Sequence, residues 1–346
     1  MKALFFEQHG GPEVLKFAEL PDPVPAPGEA LIKVRAVALN HLDIWVRRGW
    51  QGLNLKMPHI GGSDVVGEIV SVNSGSNSTS LFQPGTSVMI NPGLVNGEDE
   101  WTRRGEESLS PGYKILGEQV DGGLAEFMTV PISNVFKIPD GISDDRAAAP
   151  LLVGTTCWRM LFKRAQLKAG ETVLVVGAGG GVNSLSISLS KAAGATVYVL
   201  ASSSEKARKA LELGASEAVV IANNPNWSVE ILKLTKGRGV DVVVDNVGSK
   251  TIDSSIRACT RGGRIVTVGN TSGHEIKFDN RLLFTKQISL LGSTMGSKQD
   301  FIDAMNFIFT HNIKTPIDCV EPLKDGIKMI QYLEEGRQFG KIILKP

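Results

Sequence analysis

The chain has 346 residues, 42% of them hydrophobic and 21% charged, a balance that excludes a disordered or fibrous polymer and leaves length for two domains. A formal net charge of +1 without any Lys/Arg block gives no footprint for nucleic acid or an anionic membrane surface, so the expected partner is a small molecule. The three cysteines, Cys157, Cys259 and Cys319, make no C-x-x-C pair, and no apolar run reaches the roughly 18 residues that span a bilayer, which points to a reducing, cytoplasmic setting.

In chain order, the first third carries short strand-like runs, "ALIKVRAVAL", "GEIVSVN" and "TSVMIN", separated by the turn-rich "DPVPAPGEA" and "NSGSNSTS". It reads as an irregular, mainly β domain. Residues 96–110, "NGEDEWTRRGEESLS", then form a polar excursion with five carboxylates and two arginines and little to bury. After Pro150 the texture changes. "TVLVVG", a helix from about Val182, "TVYVLAS", the helix "SEKARKALELGA", "AVVIA", "DVVVDNVG", "RIVTVGN" and "QISLLGS" alternate strand with helix. Near-continuous Val/Ile/Leu strands in such an alternation predict a parallel sheet covered on both faces. The tail offers two helices by apolar spacing, "FIDAMNFIFTHN" and "GIKMIQYLEEG", and a last strand "GKIILK". The expected fold is therefore α/β, with a doubly wound Rossmann domain over 154–295 and a mainly β catalytic domain built from 1–153 and 296–346.

The stretch "TVLVVGAGGGVNSLSISLSKAAGA" runs a buried strand into Gly177, Gly179, Gly180 and Gly181 and then, from Val182, into a helix. Glycines at such a turn let the backbone approach a pyrophosphate, whose charge the free N–H groups of the helix start stabilise. Asn183 departs from the strict G-x-G-x-x-G pattern at the third glycine. An NAD site ordinarily has Asp or Glu at the end of the next strand. Here Ala201 and Ser202 stand in that place, with Ser203, Lys206 and Arg208 following, a set suited to a 2′-phosphate. NADP(H) is the preferred cofactor and NAD(H) stays open, since Lys206 and Arg208 also read as a solvated helix face and Ser202 with Glu205 as a capping box. "DNVG" and "TVGN" end later strands at the carboxyl edge, where open α/β sheets bind ligands, which adds Asn246, Gly248, Gly269 and Asn270 as cofactor candidates.

The β-rich first domain, the glycine turn, "ALELGA", "PHIGGSDVVGEIVSV", "ILGEQVDGGLAEF", "APLLVGTTCW" and "GRQFGKIIL", in this order, resemble the medium-chain dehydrogenase/reductase superfamily over nearly the whole chain, in its zinc-type alcohol dehydrogenase and quinone oxidoreductase branch. The resemblance implies a GroES-like catalytic domain, a homodimer or homotetramer pairing near "QISLLGSTM", His41 facing the cofactor phosphates, and Lys341 as a late phosphate contact.

In zinc-bearing members a lobe is stapled by four cysteines spaced C-x-x-C-x-x-C-x7-C. The corresponding positions here are Asn96, Asp99, Thr102 and Ser110, so the polar excursion is expected to keep the lobe without its metal, ordered by Trp101, hydrogen bonds and pairs of Arg103 and Arg104 with glutamates. The catalytic zinc ligands of such members correspond to Asn40, Ser63 and Leu152. The expected site holds no metal. His41, Asp43, His59 and Asp64 form the one substitute cluster that can be drawn, with no zinc-motif spacing. The catalytic candidates are Asn40 as an amide donor, Asp43 as a carboxylate also suited to holding Arg47 or Arg48, and Ser63 and Thr156 on cleft-facing segments. No tyrosine stands at the proton-donor place of enoyl-thioester reductases, since the tyrosines are Tyr113, Tyr198 and Tyr332.

The expected activity is zinc-independent hydride transfer from NAD(P)H to a quinone, enone or activated carbonyl, because an unactivated alcohol needs a Lewis acid or a Tyr/Lys pair to lose its proton. The alternatives are an alcohol or aldehyde dehydrogenase with unusual metal ligands, and a nucleotide-binding redox sensor without turnover.

Overall fold

A computed structural model describes residues 1–74, 82–221, 224 and 226–346. The expected turn at 75–80 and position 222, which closes "AVVIA", lie outside them. The contacts divide the chain into two units: Met1–Leu152 with Gly296–Met305 and Ile317–Pro346, and Val153–Met295 with Asn306–Pro316. The sequence reading keeps the whole tail with the first domain. Asn306–Pro316 falls instead to the second unit, where Phe307 packs at 5.5 Å between ring centroids on Trp158 and stacks at 4.4 Å on His311.

In the first unit, the strand Glu29–Ala38 buries alternate residues, Ala30, Ile32 and Val34, and then three in a row, Ala36, Val37 and Ala38, as it enters the core. It pairs antiparallel with Asp64–Asn73, and its end also pairs antiparallel with the last strand, Lys341–Lys345. Ala38 stands opposite Asp64 on one edge and Ile343 on the other, while the Leu39 N–H donates to the Ile342 carbonyl at 2.9 Å. That register brings three strand ends together around Asn40.

The sequence gives little sign of the helix that follows, His41–Arg48, whose eight residues sit directly behind a strand. Its start is made by Asp43, which accepts the Asn40 N–H at 2.7 Å, and its end by Gly49 at φ 73°, a backbone region open mainly to glycine. Arg47, 1% exposed, fixes the helix to Gly326–Glu334 by donating to both carboxylate oxygens of Glu334, at 3.0 and 2.9 Å. Removing Glu334 would leave the Arg47 guanidinium buried without its carboxylate, whereas Glu334 would keep Arg48.

The second unit holds a six-stranded parallel sheet of Thr172–Val176, Thr196–Ala201, Glu217–Val220, Val240–Asp245, Cys259–Thr267 and Ser289–Gly292. Numbered by chain order these lie 3-2-1-4-5-6, the doubly wound arrangement expected from the alternation of strand and helix. Val173 to Val176 are at most 1% exposed, which accounts for their unbroken apolar run. Among the described residues no helix is long and apolar enough to cross a membrane.

Candidate functional site

In the second unit, the first strand ends at Val176 and the chain turns through Gly177, at φ 97°, where a Cβ would stand 3.0 Å from Asn183 Nδ2. Gly179 and Gly180 follow. Gly180 precedes the helix Gly181–Ala192, offers no side-chain cap, and would carry a Cβ into open space. The N–H groups of the first turn, around Gly181 and Val182, are thus left for an outside acceptor at the point where the strand order reverses. These residues fit a dinucleotide pyrophosphate.

Asn183, the departure from the glycine pattern, replaces close helix packing by a bridge. Its Nδ2 donates to the Val176 carbonyl at 2.9 Å, and its Oδ1 accepts from Asn246 Nδ2 at 2.9 Å. Asn246 Oδ1 in turn accepts the Val268 N–H at 2.8 Å. The side chain expected to meet the cofactor therefore ties the ends of the first, fourth and fifth strands together. Gly248, at φ 92°, donates its N–H to Asp245, a fully buried carboxylate that also takes the Thr251 and Ser255 hydroxyls and the Val247 N–H. Sequence reasoning missed Asp245; the signal was an acid closing an otherwise apolar strand. Gly269 accepts the Thr267 hydroxyl through its carbonyl, and Asn270 is exposed.

At the end of the second strand, Ser202 is exposed, while Ser203 and Lys206 are half-buried. No acid stands there. The helix cap is Ser203, which accepts the Lys206 N–H at 3.2 Å, rather than a Ser202–Glu205 box, because Glu205 turns outward to Lys209 at 3.0 Å. Arg208 pairs with Glu212. Thr156 lies buried on the helix Leu151–Trp158 with its hydroxyl 3.7 Å from Met295 Sδ.

In the first unit the catalytic candidates Asn40, Asp43 and Ser63 converge with Asp64 and Lys341. Asp43 takes the Gly62 N–H on Oδ1 at 2.9 Å and the Asn40 N–H on Oδ2 at 2.7 Å. It does not hold Arg47 or Arg48, both of which go to Glu334. Burial pushes its carboxyl up to about 6, against the opposing pull of those two N–H groups. Asn40 donates its amide to Asp64 Oδ2 at 3.0 Å and accepts from Lys341 Nζ, which also lies 2.8 Å from Asp64 Oδ2. Asp64 Oδ1 accepts the Leu152 N–H at 2.6 Å. Asp64 is 0% exposed and Lys341 2%, so the lysine expected at the cofactor phosphates is here a buried ion-pair partner. Burial raises the Asp64 carboxyl and the lysine pulls it down.

Ser63 Oγ is buried without a hydrogen-bond partner among the described residues. His41 is half-buried with its ring edge-on to Trp45 at 4.9 Å, and burial lowers its pKa. His59 is buried against Phe6, with Nε2 at 3.2 Å from the Gly117 carbonyl. The polar excursion is ordered by Asp99, which accepts the N–H groups of Trp101 and Thr102, while Thr102 Oγ1 accepts the Asp99 N–H and Ser110 Oγ accepts the Gly112 N–H. Two of the four positions that the resemblance gives as cysteines, Asp99 and Thr102, thus bond one another. Arg104 lies over the Trp101 ring at 5.4 Å and near Glu100.

Family models match both halves of the chain: "Alcohol dehydrogenase GroES-like domain" over residues 26–140 and "Zinc-binding dehydrogenase" over 181–310. An acryloyl-coenzyme A reductase of Metallosphaera sedula is 32% identical over 348 residues, covering 99% of each chain. The chain belongs to the zinc-type medium-chain alcohol dehydrogenase family. An NAD-dependent alcohol dehydrogenase of Sulfurisphaera tokodaii is 28% identical over the full length of both proteins. The crystal structure of an NAD-dependent alcohol dehydrogenase superposes with a TM-score of 0.95 at 39% identity, each chain covered fully. The first unit is accordingly the GroES-like domain of a medium-chain oxidoreductase and the second its nicotinamide-nucleotide domain. In this member of the family, no group of three or more His, Cys, Asp or Glu among the described residues is arranged to hold a metal ion.

Proposed function

We propose that this medium-chain oxidoreductase reduces an electron-poor acceptor, a quinone, an enone or an activated carbonyl, by direct hydride transfer without zinc and with a preference for NADP(H). The observation that carries the reading is the donor set of the first unit. Asn40, Ser63 and Leu152 offer an amide, a hydroxyl and a hydrocarbon, and the nearest carboxylate, Asp64, is already engaged by an ammonium, an amide and a backbone N–H. Zinc sites are built from thiolate, imidazole and carboxylate, so these residues do not fit the ion.

The nicotinamide cofactor, when bound, supplies the hydride. The glycine turn at 177–181 would seat its pyrophosphate, and Ser202, Ser203 and Lys206, with Ala201 and Ser202 where an acid would close the strand, favour a 2′-phosphate over a free ribose hydroxyl. An acceptor that is electron-poor in its ground state needs no strong Lewis acid, whereas an alcohol substrate would have to lose a proton, and the carboxylates of this cluster, Asp43 and Asp64, are engaged by two backbone N–H groups and by Lys341.

A second reading, an alcohol or aldehyde dehydrogenase that holds metal through unusual ligands, is favoured by the family descriptions and by the 39% identical alcohol dehydrogenase structure. The acryloyl-coenzyme A reductase relatives favour an activated alkene as acceptor, although no tyrosine stands at the expected proton-donor place. The test is loss of NADPH and NADH absorbance with quinones, enones, enoyl thioesters and aldehydes, with and without a strong chelator, beside metal analysis of the purified protein. Chelator-resistant turnover that prefers NADPH is the expected result. About one zinc per chain, with activity lost on chelation and restored by zinc, would replace this reading with the second. Nucleotide binding without turnover on any acceptor would leave a redox sensor.

A further inference from the structure

Where the first unit would hold a metal, it holds a charge of its own. The three segments that the resemblance gives as ligand carriers still converge: Asn40 and the Leu152 N–H both reach Asp64, the neighbour of Ser63. What they surround is the Lys341 ammonium, held by Asp64 Oδ2 at 2.8 Å and by the Asn40 carbonyl oxygen, with all three side chains at most 6% exposed. The backbone makes this meeting obligatory. Ala38 pairs with Asp64 on one side and Ile343 on the other, which sets Asn40 beyond the end of its strand and Lys341, two residues before Ile343 at the start of the last strand, on a level with Asn40. Lys341 and Asp64 stand on opposite flanks of the Ala38 strand, and neighbouring strands lie about 4.8 Å apart, so it takes a long side chain to carry a charge from one flank to the other.

We propose that Lys341 is the resident cation of this site: its tethered ammonium takes the place of a divalent ion on Asp64 and excludes one. The inference deepens the metal-free reading of the site and rests on it. A divalent ion on the same carboxylate would sit within a few ångströms of a buried ammonium, with like charges in a medium that screens them poorly. The Asn40 carbonyl, the second oxygen in reach, is turned to the ammonium as well. Ser63 Oγ, buried and without a partner among the described residues, is the further oxygen that a vacated site would have to offer. Removal of the ammonium should therefore convert the cluster into an oxygen-lined site for a divalent cation, with Asp64, Asn40 and Ser63 as donors.

The experiment compares wild type, Lys341→Met, Lys341→Arg and the double variant Lys341→Met/Asp64→Asn, using cobalt(II) chloride and zinc chloride as probes. The readouts are thermal midpoint and bound metal per chain. Wild type and Lys341→Arg are expected to hold no stoichiometric metal and to show no metal-dependent shift. Lys341→Met should lose about 10 °C in midpoint, because it strands a buried carboxylate, and should regain part of that loss with cobalt or zinc. The double variant should be more stable than Lys341→Met and blind to metal, a non-additivity that a merely space-filling lysine would not give. If Lys341→Met folds too poorly to assay, the same comparison runs on Lys341→Gln. A wild type with about one tightly held metal per chain overturns the metal-free reading and this inference together. A metal-free wild type whose Lys341→Met and Lys341→Gln variants gain no metal-dependent shift overturns the inference alone.

Discussion

Asp43 accepts two backbone N–H groups, which stabilise its charged form, yet burial dominates and its carboxyl rises to about 6 from an ordinary 3.8. The sign of the consequence follows from proton counts. Between about pH 4 and 6 the folded chain keeps a proton on Asp43 that the unfolded chain releases, so this residue's contribution to stability is largest at the acid end and falls as the pH rises toward 6. Two pKa units correspond to about 3 kcal/mol. Asp64 is raised as well and acts in the same direction. Glu171 and Asp241, held down by Arg264 and Arg238, act in the opposite direction, so the contribution must be read as a difference. Urea unfolding of wild type and Asp43→Asn from pH 4 to 7 should show the penalty of the substitution shrinking with rising pH. A constant penalty would mean that Asp43 is ionised throughout.

Among the elements, the glycine turn shows how a departure from a motif is absorbed. The strict pattern places a third glycine where Asn183 stands, and the side chain that replaces it binds the Val176 carbonyl and the Asn246 amide. The turn is held by side-chain hydrogen bonds where a glycine would have held it by close packing. Asn183→Ala removes both bonds and leaves a carbonyl and an amide short of partners, a loss of about 2 kcal/mol in stability. Because the same bridge fixes the strand ends beside the pyrophosphate seat, nucleotide affinity should fall about tenfold, which titration of the protein with NADPH would measure. An unchanged affinity would show that Asn183 serves packing alone. The lobe at 96–110 follows the same logic, with Asp99 and Thr102 bonded to each other where the resemblance places thiolates on a metal.

For the whole molecule, the second unit ends its sheet on Ser289–Gly292, a strand with Leu290 40% exposed, preceded by the helix Asn280–Thr285 with Phe284 61% exposed. An open edge with apolar residues beside it invites pairing with another chain, and the resemblance places the subunit contact there. We propose a homodimer or homotetramer paired through this edge. Leu290→Lys should then shift the molar mass in light scattering toward the single chain, without loss of the parallel sheet by circular dichroism. A native mass that the substitution leaves unchanged would remove this edge from the assembly.

The α/β architecture, the doubly wound sheet and the glycine turn are legible in the sequence, because apolar periodicity, strand-and-helix alternation and glycine placement belong to contiguous residues and survive without knowledge of the fold. The sequence also placed Asn40, Ser63 and Leu152 at the positions where the resemblance gives zinc ligands. It could not show which side chains these positions meet. Asn40 lies 24 residues from Asp64 and 301 from Lys341, and their meeting depends on the register of two strands against Ala38. Folding alone sets Arg47 on Glu334 and not on Asp43, makes Asn246 tie strand ends, and buries Lys341 on Asp64. The physical reason is the same in each case: a long polar side chain in the core takes the partner that folding brings within about 3 Å of it, and that partner is set by strand register and helix docking rather than by neighbours in the chain.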